Sequence, residues 1–271
     1  TEAVVSVTGA DLTVALAEAG FALPDGHQLV TLVDRPDVAS EVERIGSSVW
    51  PEFMLHDTIA DDLWMRMAAD WPEFQLALLD GDGATVAVAR SAPLAWQGTV
   101  DDLPRGWDEQ FTRSVAQLDR GVAANTLGAV MAVSDPARRG HGLGRLMVSA
   151  MRQSARLHGL RALIACVRPT LLERYPLTPI DEYARWTRDD GLPFDPWIRI
   201  HVRLGGRLSR PEPASMLVVG TIAQWERWTE LAFPASGRYV VPGACAPVDI
   251  DRQADEGTYL DPNVWVIHDL A

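Results

Sequence analysis

Lysine is absent from this chain: all 24 basic residues are arginine. A phosphate loop built on Gly-Lys-Ser/Thr is thereby excluded. Cysteine is scarce, with only Cys166 and Cys245, so no disulfide framework can staple the fold. Cys166 lies in an apolar run and reads as an inert core thiol. No stretch approaches 18 uninterrupted apolar residues, so no transmembrane helix is expected. The first twenty residues carry Glu2 and Asp11 but no basic residue, and so lack the basic n-region of a signal peptide. A cytoplasmic location is expected from these absences. The six histidines are scattered and no H-x-x-x-H occurs, so no metal site is expected. A net charge of −13 argues against general nucleic-acid binding, which rests on neutralising phosphates.

What is present bounds the class. A length of 271 residues suits one large domain or two small ones, and 47% apolar residues suffice for a sizeable core. Ten tryptophans are many for this length, and several are expected to line a pocket as well as the core. The arginines are unevenly placed: Arg138, Arg139, Arg145, Arg152, Arg156 and Arg161 fall within one loop-helix unit. Local positive charge in an acidic chain suits a small polyanionic cofactor.

That unit is Met131 to Met147, MAVSDPARRGHGLGRLM. The apolar run Leu127 to Val133 reads as a buried strand and breaks at Asp135-Pro136. A glycine loop and a long helical pattern follow. Residues without Cβ let a backbone approach a ligand closely, and free N–H groups at a helix start face an anion. Paired arginine donors add to this. The glycines fall at 140, 142 and 144, which is not the spacing of a dinucleotide fingerprint. The pattern that fits is R-x-x-G-x-G on Arg139, Gly142 and Gly144, with Pro136 three residues before the arginine. The stretch resembles the acyl-CoA pyrophosphate loop of the GNAT superfamily of N-acetyltransferases. The resemblance covers roughly residues 28 to 220 and is strongest over 127 to 167.

The resemblance implies an α/β fold with a mixed, mostly antiparallel central sheet, flanked by helices and splayed at the fourth and fifth strands. It implies an acyltransferase that moves an acetyl or other acyl group from an acyl-CoA co-substrate to the amine of a small molecule. Residues 1–27 are expected as an N-terminal extension and 28–271 as one acyltransferase domain, with an insertion at 168–195 and a C-terminal extension at 222–271. Main-chain N–H groups of Arg139, Gly140, His141, Gly142, Leu143 and Gly144 would hold the pyrophosphate, with Arg138, Arg139 and Arg145 as charge partners. Met131, Ala132, Val133 and Ser134 on the fourth strand would meet pantetheine and the thioester. An N–H aimed at the thioester carbonyl would contribute roughly 3 kcal/mol to the transition state.

The remaining elements follow from periodicity and breakers. Residues before Asp11 read as a strand-like run, Asp11 to Ala19 as a short helix and Pro24-Asp25-Gly26 as a turn. His27 to Val33 reads as a strand and Asp37 to Ser47 as a helix. Trp50-Pro51-Glu52-Phe53 recurs as Trp71-Pro72-Glu73-Phe74, flanking a helix at Thr58 to Ala69. Phe74 to Leu79 and Thr85 to Ala89 form a hairpin. Further helices are expected at Asp108 to Leu118, Arg145 to His158, Trp197 to Leu204 and Ile222 to Leu231. Leu160 to Val167, Ser215 to Thr221, Gly237 to Ile250 and Asn263 to His268 read as strands.

In GNAT enzymes the region between the first two strands walls the acceptor site. Trp50, Phe53 and Trp64 are therefore expected to bind substrate, with Tyr175 from the insertion; Glu52 and His56 are the first candidates for general base, ahead of Asp57 and Glu73. The helix that commonly ends Tyr-x-x-x-Gly-Phe reads His201-Val202-Arg203-Leu204-Gly205-Gly206 here. His201 stands where the general-acid tyrosine is often found, and could serve as an acid if protonated or a base if neutral. Two other readings stand beside this one. An aminoacyl-tRNA or carrier-protein thioester could be the donor, met by arginines 168, 174, 185 and 188. A non-catalytic acyl-CoA-binding domain would also account for the missing tyrosine. Neither the acceptor nor the oligomeric state is legible.

Overall fold

The computed structural model describes residues 7–138 and 141–270; the strand-like run expected before Asp11 lies largely outside them. In chain order the elements are α1 (Gly9–Glu18), β1 (Gln28–Thr31), α2 (Ala39–Ser47), α3 (Thr58–Asp70), β2 (Gln75–Leu79), β3 (Thr85–Leu94), α4 (Trp107–Asp119), β4 (Thr126–Ser134) and α5 (Leu143–Leu157). There follow β5 (Ala162–Val167), α6 (Ile180–Tyr183), α7 (Pro196–Arg203), β6 (Arg207–Gly220), α8 (Ile222–Thr229), β7 (Gly237–Tyr239), β8 (Val248–Asp251) and β9 (Glu256–Asp269).

Local chemistry explains most boundaries. Thr8 and Asp11 close a capping box at the head of α1, and Leu12 and Leu16, one turn apart, are fully buried. Asp195 caps α7 by accepting from the Trp197 and Ile198 amides at 2.9 and 3.2 Å, and Pro196 fills the first helical position. Gly159, at φ +70°, ends the chain's path out of α5. The two Trp-Pro-Glu-Phe copies each form a tight 3-10 turn, Glu52–His56 and Pro72–Phe74, at the two ends of α3.

The strands join one sheet in the order β1-β2-β3-β4-β5-β9-β8-β7, with β6 also paired to β9. All described pairings are antiparallel except β4 with β5. That parallel pairing runs only from Thr126 opposite Ala162 to Ala129 opposite Ala165. Beyond it, Met131 to Ser134 pair with β3 alone, while Cys166 and Val167 pair with β9 alone. The two strands part there, and the expected splay is observed.

Both faces of the sheet are covered, so all five residues of β2 are buried. One face packs on α1 and α5 around Leu78 and Met147, while α4 packs beside α3, with Gln110 against Gly128 on the opposite face. That opposite face also packs on α2 through Val42 and Ile45. Through Leu12 and Leu16, α1 is part of the main core. A second cluster, around Phe53, Trp225, Phe233 and Tyr259, ties α8 and the last strands to the turn before α3.

Four of the expected strands differ, and β9 begins at Glu256 instead of Asn263. β3 continues to Leu94, and β6 begins at Arg207 instead of Ser215. Pro211 and Pro213 cannot donate to a ladder, and they sit where the register of β6 on β9 shifts twice. The segment expected as one strand over Gly237 to Ile250 divides into β7 and β8, with turns between them.

Candidate active site

The splay opens a cavity of about 900 Å³. β4 lines it from Ala129 to Ser134 and β5 with Ala165 to Val167. Gly144 and Met151 of α5 and Trp197, Ile200 and His201 of α7 line another part. Trp50, Met54, Leu55, Trp64 and Trp107 supply a largely apolar wall. Its charged lining residues are Glu43, Arg168 and Glu173. The size is that of a small-molecule site.

On β4 the register slips at Val130, so that Arg90 faces Met131 but Ser91 faces Ala129. The carbonyls at this bulge are tied from α4. Trp107 Nε1 donates to Val130 O at 2.8 Å and Gln110 Nε2 to Ala129 O at 3.1 Å. The bulge thus bends the strand away from β5 without leaving buried carbonyls unpaired.

After β4 the chain makes a short turn at Pro136–Arg138 and enters α5 through Gly142, at φ +75°. A Cβ on Gly142 would meet nothing, so the glycine serves backbone shape and open access, while a Cβ on Gly144 would come within 3.0 Å of the Trp197 ring. No side chain among the described residues caps α5. Its first amides therefore carry the partial positive charge of a helix head. An uncapped helix head of this kind suits an anionic group.

Arg139 and Gly140 lie outside the described residues. Arg138 does not point a free charge at the helix head; its Nη2 pairs with Asp80 at 3.1 Å. The Arg145 guanidinium stacks on Phe21 at 4.9 Å from the ring centre. His141 Nδ1 lies 3.1 Å from Arg138 O.

His201 lines the cavity and is 2% exposed. Its Nδ1 lies 3.0 Å from Nε2 of His268 on β9, a residue the sequence did not single out. Burial holds His201 down to about 4. Burial, then the neighbouring His201 and Arg152, hold His268 down to about 3. With burial holding both down, both rings are neutral near pH 7. One ring must donate to the other. His268 Nδ1 has no hydrogen-bond partner among the described residues. A buried lone pair is left unpaired more readily than a buried N–H. This favours a proton on His268 Nε2 and leaves His201 an N–H at its own Nε2.

Arg168 follows the last residue of β5. Its Nε donates to Asp261 Oδ1 at 2.9 Å and its Nη2 to Gly243 O at 2.7 Å. Asp261, fully buried, also accepts from Tyr259 Oη at 2.5 Å and Asn263 Nδ2 at 2.6 Å. Burial pushes the Arg168 pKa down, but Asp261 outweighs it and the value stands above the ordinary arginine range. Elsewhere in the cavity Glu43 accepts from Trp64 Nε1 at 2.5 Å and Arg90 Nη1 at 2.6 Å.

Of the other expected residues, the structure brings Trp50 and Trp64 to the cavity. Phe53 is 1% exposed and packs on Trp225 and Tyr259 in the second core. Glu52 and His56 pair with each other at 3.1 Å on the surface, where His56 stacks on Trp228. Neither lines the cavity. Tyr175 joins Tyr183, Trp186 and Phe194 in an aromatic cluster of its own, outside the cavity lining. Asp57 is fully buried beside Asp108, next in sequence to the lining residue Trp107. Among the described residues no cluster could hold a metal ion, and no helix is long and apolar enough to cross a membrane.

No protein-family model matches the chain. An arginine N-acetyltransferase, avaD of Aspergillus versicolor, is 30% identical to it, with 94% of this chain and 98% of the relative covered. The loading GNATL domain of CurA from Lyngbya majuscula superimposes with a TM-score of 0.55 at 16% identity, covering 90% of this chain and 98% of that one. The GphF GNAT-like decarboxylase, solved in complex with isobutyryl-CoA, gives a TM-score of 0.54 at 17% identity, covering 88% and 97%. At such identities the two structures speak for the fold alone.

Proposed function

This chain belongs to the GNAT superfamily of N-acyltransferases, moving an acyl group from acyl-CoA to the amine of a small molecule, and from that premise we propose that its acceptor is arginine or a close cationic relative. The observation that carries the reading is the cavity itself: tryptophan-walled, of about 900 Å³, with Glu173 in its lining beside Glu43, which Arg90 and Trp64 already hold. Such a site matches a flat cationic side chain, which aromatic faces and carboxylates both attract. A protein tail or a tRNA would need a broader, basic surface, and the chain carries a net charge of −13. A cytoplasmic setting, where acyl-CoA is made, suits two thiols that are free and buried.

The residues divide the work as follows. The amides at the head of α5, from Gly142 to Arg145, hold the pyrophosphate, and Arg139 and Gly140 belong to the same loop. Met131 to Ser134 guide pantetheine along the free edge of β4. His201, as a neutral imidazole, donates a hydrogen bond to the leaving thiolate, which takes its proton from the newly acylated nitrogen, and His268 sets its tautomer. With Glu52 and His56 on the outside, the acceptor ammonium loses its proton to water in the cavity.

The test is thiol release from acetyl-CoA with arginine, agmatine and uncharged amines of similar length. Arginine is expected to be acetylated at least about tenfold faster than an uncharged amine, the size of one charge-assisted contact. Equal rates for all amines would sink the cationic-acceptor reading.

A further inference from the structure

We infer that Arg168 is a carboxylate anchor inside the cavity, binding a carboxylate carried either by the acceptor amine or by the acyl group. The inference rests on the cavity being the acyl-transfer site, but not on the acceptor being arginine.

Position comes first. Arg168 leaves β5 just past the point where β4 and β5 part, so its side chain enters the cleft beside the acyl-bearing strands. The side chain is 14% exposed. That is little for an arginine, and it lines the cavity rather than the outer surface.

Rigidity comes next. Nε and Nη2 are held by Asp261 and Gly243, and the guanidinium lies 5.8 Å from the Trp50 ring. Asp261 is itself fixed by Tyr259 and Asn263, and Asn263 also lines the cavity. Three elements thus converge to hold one fork in one orientation. A structural ion pair alone does not need a cavity-facing nitrogen. Here Nη1 has no partner among the described residues, and it is the one arm of the fork that neither Asp261 nor Gly243 occupies.

Chemistry then names the ligand. A planar guanidinium with a free arm recognises a carboxylate or phosphate. The phosphates of acyl-CoA belong at the head of α5, on other residues of the lining. A carboxylate is the remaining small anion that an amine acceptor or an acyl group can carry. Two sources fit: the α-carboxylate of an amino acid, or the distal carboxylate of a dicarboxylic acyl-CoA.

The experiment separates the sources. Wild-type enzyme and acetyl-CoA are offered amines that differ only by a carboxylate: arginine against agmatine, and phenylalanine against phenethylamine. Acetyl-CoA and malonyl-CoA are compared in parallel by calorimetric titration. The comparison variant is R168Q/D261N, which removes both charges together so that no buried ion is stranded. R168K, which keeps the charge and loses the fork, is the second variant.

If the carboxylate is the acceptor's, the kcat/KM ratio of the carboxylate-bearing to the carboxylate-free amine exceeds about ten in the wild type and drops by about that factor in both variants. If it is the acyl group's, malonyl-CoA binds at least about tenfold more tightly than acetyl-CoA, and the variants lose that preference. The absence of both preferences in the wild type overturns the inference, whether or not the variants fold. So does a preference that survives in a folded R168Q/D261N protein. Rejection of arginine and agmatine alike, with phenylalanine preferred to phenethylamine, would refute the guanidinium acceptor while leaving Arg168 as the anchor.

Discussion

His201 and His268 form a dyad whose electrostatics decide what each can do. Both are neutral in the fold and both titrate near 6.5 when unfolded, so the unfolded chain binds more protons as pH falls. Their contribution is present above about 6.5 and is lost as pH falls through about 4 and about 3. The H268Q variant, which removes one buried imidazole, is expected to show a shallower loss of Tm between pH 6.5 and pH 4 than the wild type; parallel curves would contradict this. For catalysis, His201→Ala should lower kcat by about a hundredfold, the scale of losing one hydrogen-bond donor to developing charge. Because His201 ionises near 4, the wild-type kcat should show no histidine limb between about pH 6 and pH 8. A clear limb near 6.5 would mean that the ring is solvated at work. His201 was legible because a helix frame ending in glycine marked it. His268 was not, since only the pairing of β9 with β5 and β6 carries it there. The same contact explains Gly206, which stands in place of the phenylalanine common in the family. A Cβ there would come 2.7 Å from His268 Cε1 and from Val266 Cγ1. Gly206→Ala should cost about 1–3 kcal/mol by urea unfolding, the usual range for overpacking.

Among the elements, α5 was the most legible and is the most consequential. Strand, proline turn, glycine loop and helix are all coded within about twenty residues, so local rules suffice. The strand ends, the helix length and the cap at Gly159 emerge within one or two residues of expectation. What the segment could not disclose was where its arginines turn. Arg138 depends on Asp80 of the hairpin between β2 and β3, and Arg145 on Phe21 after α1. Aromatic residues misled for a related reason. Trp50 and Phe53 lie three residues apart and both touch the C-terminal core, yet only Trp50 reaches the cavity while Phe53 is sealed inside. Gly142→Val tests the element. A β-branched residue at φ +75° is strained, but no neighbour is struck and the position is exposed. Titration should show acetyl-CoA affinity reduced at least about tenfold, with Tm lower by only a few degrees, as expected for a loss of about 1–2 kcal/mol. Unchanged affinity in a folded variant would remove the helix head from the donor site.

Across the whole molecule, the proposed acceptor wall is held by long-range polar contacts that no local pattern encodes. Asp108, in the first turn of α4, accepts from the Leu217 amide of β6 at 3.0 Å and hydrogen-bonds Asp57, which precedes α3. Three elements distant in sequence meet at one carboxyl pair, beside the lining residues Trp107 and Met216. Burial, then the charge of Asp57, push Asp108 up to about 8 from an ordinary 3.8. The sign of the consequence is the reverse of the usual carboxylate case. Between pH 3.8 and about 8 the folded protein keeps a proton that the unfolded chain has lost. Stability contributed by the protonated pair is therefore intact below about 4 and falls away as pH rises toward about 8. D108N cannot ionise, yet its amide oxygen can still accept from Leu217 and its NH2 can donate to Asp57. The variant should match the wild type in Tm near pH 4 or below, and exceed it progressively from there toward pH 8. A wild-type advantage at alkaline pH would show that the Asp108 charge is wanted, and would move the pair from the frame of the acceptor wall to its chemistry.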